Sequence, residues 1–361
     1  MNLRALKYAS PLILYALAIF AFTRTGLGCW LAILYGWAFI PLVELLLPPD
    51  NNNMDAAQEE IAKKDKLYDF VLYAMGILLY PVLIIFLYSM QDHGLSKWDI
   101  LARIATMGML CGTFGINIAH ELGHRPGRRE QWFAKAFLLT SLYTHFFIEH
   151  NKGHHKHVAT NQDPSSARLG ESVYRFYLRT IAFSYISAWD IANNDTRKTR
   201  RSVLSLHNEM LLLQMLQVVF VLLIFLFLGW KIMLYYLAAA LIGILLLETV
   251  NYIEHYGLTR KQGAGSKYER ATAHHSWNSD HLMGRLMLFE LSRHSDHHYL
   301  ASRKYQILRH HKDAPQMPTG YPGMMILSLV PPEWFFVMHR QMKKYHVSAE
   351  NPVVMENEKH L

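Results

Sequence analysis

Residues 100–124 read ILARIATMGMLCGTFGINIAHELGH, an apolar run of helical length that ends in two histidines four apart. The run is long enough to approach a membrane crossing of about 20 residues, and HELGH fits the H-E-x-x-H pattern of zinc proteases. The two halves of the stretch pose one question. Either a membrane helix delivers a small zinc site with Glu121 as its base, or it delivers part of a larger metal centre.

Five other apolar segments accompany this one, at about 9–23, 27–47, 67–90, 209–229 and 232–252. With 52% hydrophobic residues and a mean hydropathy of +0.06, the chain falls in the membrane class. The first segment begins with Arg4 and Lys7, as a secretory signal would, but with five segments behind it we read it as a retained helix. Cys29 and Cys111 lie in apolar runs, too far apart for a CxxC metal clip.

Charge then orients the chain. Of 36 Lys and Arg, 13 lie in 120–208 and 14 in 253–361, whereas the short connections 24–26, 91–99 and 230–231 carry only Arg24, Lys97 and Lys231. The positive-inside rule places both termini and the long polar segments in the cytoplasm. The net charge of +8 is thereby read as topology, not as nucleic-acid binding. The expected architecture is an all-α integral membrane protein with six transmembrane helices and a cytoplasmic helical cap. Helices 1–4 occupy 1–119 and helices 5–6 occupy 209–252, while 120–208 and 253–361 carry the chemistry and end in a polar tail.

Histidines gather in the cytoplasmic segments and the helix ends that feed them. HELGH (120–124), HNKGHH (150–155), EH (254–255) and HSDHH (294–298) contribute His120, His124, His150, His154, His155, His255, His294, His297 and His298. Spacings of three and four put His120 with His124, His150 with His154, and His294 with His297 and His298 on shared helical faces. A catalytic zinc takes three protein ligands and would leave most of these imidazoles unused. Two metals with four or five imidazoles each would use all nine. Soluble di-iron enzymes rely on glutamates with paired ExxH motifs, and these groups hold one ExxH, so an all-histidine pair of irons fits better. Neutral nitrogen ligands suit Fe(II).

These motifs resemble the membrane alkane 1-monooxygenases, non-haem di-iron hydroxylases of the fatty-acid-desaturase-like superfamily. The likeness runs through HELGHR (120–125), EHNKGHH (149–155), NYIEHYGL (251–258) and LSRHSDHH (291–298), and extends to VATNQDPSSAR (158–168) and DAPQMPTGYPGM (313–324). It implies a bacterial inner-membrane enzyme whose nine histidines bind two irons. That enzyme would hydroxylate the terminal methyl of medium-chain n-alkanes with O2 and electrons from rubredoxin, itself reduced by an NADH-dependent reductase. The chain has no CxxC pair, so those electrons come from another protein or from a domain outside this sequence. Relatives acting on xylene-type methyl groups or fatty acyl chains are alternatives.

Acids beside the boxes are candidates to hold the ligands through their second ring nitrogen: Glu121, Glu149, Glu254 and Asp296, with Glu248 two turns before His255. Each is equally readable as an ion-pair partner or a helix cap. Trp37, midway along the second apolar segment, is a candidate gate for substrate length, or else an aromatic packed between helices. Two other classes compete. An intramembrane zinc protease would need Glu121 and ignore HSDHH; a metal transporter would place ligands at mid-depth, where these spans hold almost none.

Overall fold

A computed structural model describes residues 3–263, 265 and 267–350; the expected polar tail lies outside them. The described residues are almost wholly helical, and among them the only strand-type pairing is two isolated bridges. Among the described residues five helices are long and apolar enough to cross a membrane: Arg4–Phe22, Gly26–Leu46, Lys66–Ser89, Lys97–Gly123 and Glu209–His255.

The last of these runs for 47 residues and contains one non-helical residue, Gly229, at φ 82° and ψ 171°. In a straight helix Phe220 and Tyr236 would stand about 24 Å apart, yet their rings meet at 5.7 Å. The chain therefore doubles back at Gly229 into two antiparallel helices. The expected connection at 230–231 shrinks to this single glycine, because a residue without a Cβ takes the left-handed conformation that the reversal requires. Leu222, Leu223, Leu226 and Phe227 are exposed along the first of the two. An open apolar surface on a long helix is what lipid covers.

The short connections lie together at one end. Arg103 donates to the backbone carbonyls of Ser89 (2.7 Å) and Arg24 (2.8 Å). Asp99, in a capping box with Ser96, accepts from the Gly26 amide at 2.6 Å. These bonds satisfy helix-end groups that would otherwise be orphaned. At mid-depth, helix Lys97–Gly123 packs closely on 230–255. A Cβ at Gly108 would sit 2.5 Å from that of Ile242, and one at Gly243 would sit 2.9 Å from that of Cys111. Without a hydrophobic drive between helices in lipid, such small-residue contact is what lets them associate.

At the opposite end the polar segments form a cap. Helix Val173–Lys198 lies against 230–255 through Thr180 and Tyr177, which bond Glu248 and Thr249. The described residues of 256–350 form short helices and the 20-residue helix Pro331–Glu350, which pack with Tyr252 around a separate apolar core of Trp277, Trp334, Tyr256, Tyr321 and Met338. That core fixes the C-terminal segment to the end of 230–255.

Candidate metal centre

Helix Lys97–Gly123 ends in His120 and His124, and 230–255 ends in His255, so both carry imidazoles to the boundary between the apolar helices and the cap. The other six come from 150–155 and from helix His294–Tyr299. All nine expected histidines converge, in two groups. His120, His124, His150, His155 and His297 form one, and His154, His255, His294 and His298 the other; within each, the ligand atoms lie within 4.8 Å of one another.

His150 and His154 share a face, as their spacing implies, with rings stacked at 5.1 Å, yet they fall in different groups. Residues His150–His154 form a π-turn, whose i to i+5 bonding widens the turn. His150 therefore aligns with His155, their Nε2 atoms 3.0 Å apart, while His154 faces His298 at 3.2 Å. Helix His294–Tyr299 divides as well. His294 and His298 join one group, and His297 faces His120 at 3.0 Å in the other.

This donor set fits cations. Nitrogens converge on nitrogens at 3.0 to 3.3 Å, a cluster of lone pairs that a central positive charge satisfies. Burial, then neighbouring imidazoles, pushes His150, His155, His294, His297 and His298 well below the usual histidine range. They are neutral near pH 7, the form that ligates metal.

The surrounding carboxylates are less uniform. Glu254 points in: Oε2 lies 3.1 Å from His294 Nε2, and Oε1 accepts from the Tyr321 hydroxyl at 2.9 Å. Glu121 turns away, accepting from Arg125 at 3.0 Å and the Tyr305 amide at 3.4 Å. Asp296 accepts from Arg303, His311 and the Arg309 amide, bracing the loop after HSDHH without touching the nine imidazoles. Glu248 accepts from Tyr143, Thr180 and Asn251, and buried Glu149 leaves Oε1 unpaired over Gly153. Sequence reasoning missed Asp163, whose Oδ2 is 2.9 Å from His154 Nδ1. Burial raises its pKa, but His154 and the Ser166 hydroxyl outweigh that and hold it below the usual carboxylate range. The signal was present in TNQDPSS, a polar turn that places an acid nine residues after His154.

An apolar cavity leads from between the helices to both groups. Leu14, Trp37, Ile40, Met109 and Leu246 line its walls, and His120, His150, His294 and Glu254 line it on the metal side. Trp37 thus faces the cavity, within a second π-turn, Tyr35–Phe39.

Comparison with known proteins agrees with this architecture. The fatty acid desaturase family model matches residues 96–328. Alkane 1-monooxygenase 1 of Alcanivorax borkumensis is 37% identical over 91% of this chain and 80% of its own length. Alkane 1-monooxygenase of Pseudomonas putida is 37% identical over 86% of this chain and 79% of its own. The xylene/toluene monooxygenase hydroxylase component XylM of Pseudomonas putida is 25% identical over 91% and 86%.

Proposed function

Because the chain belongs to the membrane alkane 1-monooxygenases, within the fatty acid desaturase family, we propose that it converts the terminal methyl of medium-chain n-alkanes to a primary alcohol. Overall, R–CH3, O2, two electrons and two protons give R–CH2OH and water. The observation that carries this reading is the apolar cavity that ends on His120, His150 and His294. A lipid-soluble chain can enter it end first without crossing water.

In this reading the nine histidines hold two irons, five imidazoles on one and four on the other. The irons would supply the O2-derived oxidant that removes the methyl hydrogen. The protein's own contribution is placement. Internal C–H bonds are weaker than terminal ones, so selectivity for the end requires walls that admit the chain lengthwise and bring only the methyl to the metal side. Trp37 lines the cavity among the helices and is our candidate for the residue that limits chain length. Asp163, bonded to Nδ1 of His154, orients that imidazole, whereas Glu254 meets Nε2 of His294, the nitrogen turned toward His255, and so stands on the metal side. Glu121 turns Oε1 to Arg125 and the Tyr305 amide, away from the imidazoles. That argues against a protease, whose base must face the metal.

We place the enzyme in the bacterial inner membrane with six crossings and the histidine cap in the cytoplasm, as the Lys and Arg asymmetry supports. Electrons arrive from rubredoxin, reduced in turn by an NADH-dependent partner. The basic cytoplasmic face suits an acidic carrier. The test is to supply membranes containing the full chain with O2, reduced rubredoxin and octane. 1-Octanol is expected; turnover of xylene methyl groups or fatty acids in place of octane would move the substrate to the alternative relatives.

A further inference from the structure

Glu44 is an acid within an otherwise apolar helix, Gly26–Leu46, and only 2% of it is exposed. A carboxylate there is costly unless it has a task. Its Oε1 accepts from the amide of Gly284 at 2.6 Å, across 240 residues of sequence. Gly284 lies in the first turn of helix Leu282–Met287, whose N-cap residue His281 provides no side-chain bond. Oε2 lies against Gly320, in the place that a Cβ there would occupy, and has no partner of its own. Gly320 is the N-cap of helix Tyr321–Ser328, again without a side-chain bond. One side chain thus joins the first turn of one short helix to the N-cap of another.

Those helices and the Glu44 helix build one stretch of cavity wall. Ile40, one turn before Glu44, lines the cavity, as do Gly284 and Met287 from the first short helix and Pro322 and Met325 from the second. The three pieces meet at the buried carboxylate. We propose that Glu44 is a positioning residue that clamps these pieces together, setting the bore of the passage and hence which alkanes reach the metal side in register. This rests on the cavity being the alkane's path.

The test compares Glu44→Ala, Glu44→Gln and Gly320→Ala in the full, iron-loaded chain. Gln keeps an acceptor for the Gly284 amide; a methyl at Gly320 displaces the carboxylate without removing it. Iron content, kcat and KM over a series of n-alkanes, and hydrogen exchange of 282–287 are read together. Glu44→Ala and Gly320→Ala should keep their iron, exchange faster at 282–287, and change the relative kcat/KM of shorter and longer alkanes by about tenfold, the scale set by a single misfitted methylene. Glu44→Gln should restore the parent's preference. Unchanged exchange in Glu44→Ala overturns the clamp whatever the substrate. Faster exchange with an unaltered chain-length profile, or a fall in all substrates in step with lost iron, overturns its role in the passage. If the parent converts no alkane while exchange responds as expected, the substrate reading fails and, with it, the role in chain length, leaving the clamp alone.

Discussion

The five-histidine and four-histidine groups use the same ligand chemistry but are assembled differently. The first draws four of its members from two boxes, HELGH and HNKGHH, and two of them, His124 and His155, keep an edge toward solvent. The second takes one residue each from 150–155 and the end of 230–255 and two from helix His294–Tyr299, and all four are buried. Around it lie Asp163 on His154, Glu254 on His294, and Ser276 with the His275 carbonyl near His255 Nδ1. Both groups gather from three segments, so what distinguishes the second is its full burial and the buried groups that stand at Nδ1 of His154 and of His255.

The sharpest way to break this contrast is to remove a ligand. His150→Ala deletes the imidazole that faces both His124 and His155. Hydroxylation should fall to background and iron content should drop, while the protein still inserts in the membrane. Full turnover with retained iron would remove His150 from the site. Next comes Asp163→Asn, which leaves every ligand in place and weakens the support of His154 together with the bonds from Ser165 and Ser166. Loss of such a partner typically lowers metal affinity about 10- to 100-fold. Titrating the apo-protein with Fe(II) should show one of two irons binding more weakly. Equal weakening of both would mean that the groups do not differ in the way described.

Smaller effects lie farther from the imidazoles. Trp37→Ala should leave iron unchanged and shift product from shorter toward longer alkanes, read by competition between two chain lengths. An unaltered preference would return Trp37 to ordinary helix packing. Glu121→Gln should have the least effect on chemistry: iron stays, alcohol still forms, and the change appears as lower thermal stability because Arg125 loses a buried partner. Loss of all activity with iron retained would restore Glu121 as a base.

Much of this was legible in the sequence because lipid and metal each impose simple rules. Apolar runs of spanning length marked the long helices, and nine histidines in spaced boxes marked the centre. Two features escaped for local reasons. The spacing of His150 and His154 gives their shared face but not their division between the groups, since a π-turn brings His155 to His150. The reversal at Gly229 needs one residue where composition suggested two. The carboxylates were hidden differently. Glu121, Asp296 and Asp163 all lie near histidines in sequence, yet the first two pair with arginines and only Asp163 reaches one of the nine imidazoles. Which way each acid turns is decided by segments distant in the chain.

The most direct test of the central claim is metal analysis of the detergent-purified full chain, with product detection in the same preparation after adding O2, reduced rubredoxin and octane. About two irons per chain, as two all-histidine groups require, together with 1-octanol, is the result this account predicts. A single zinc and no alcohol would contradict it.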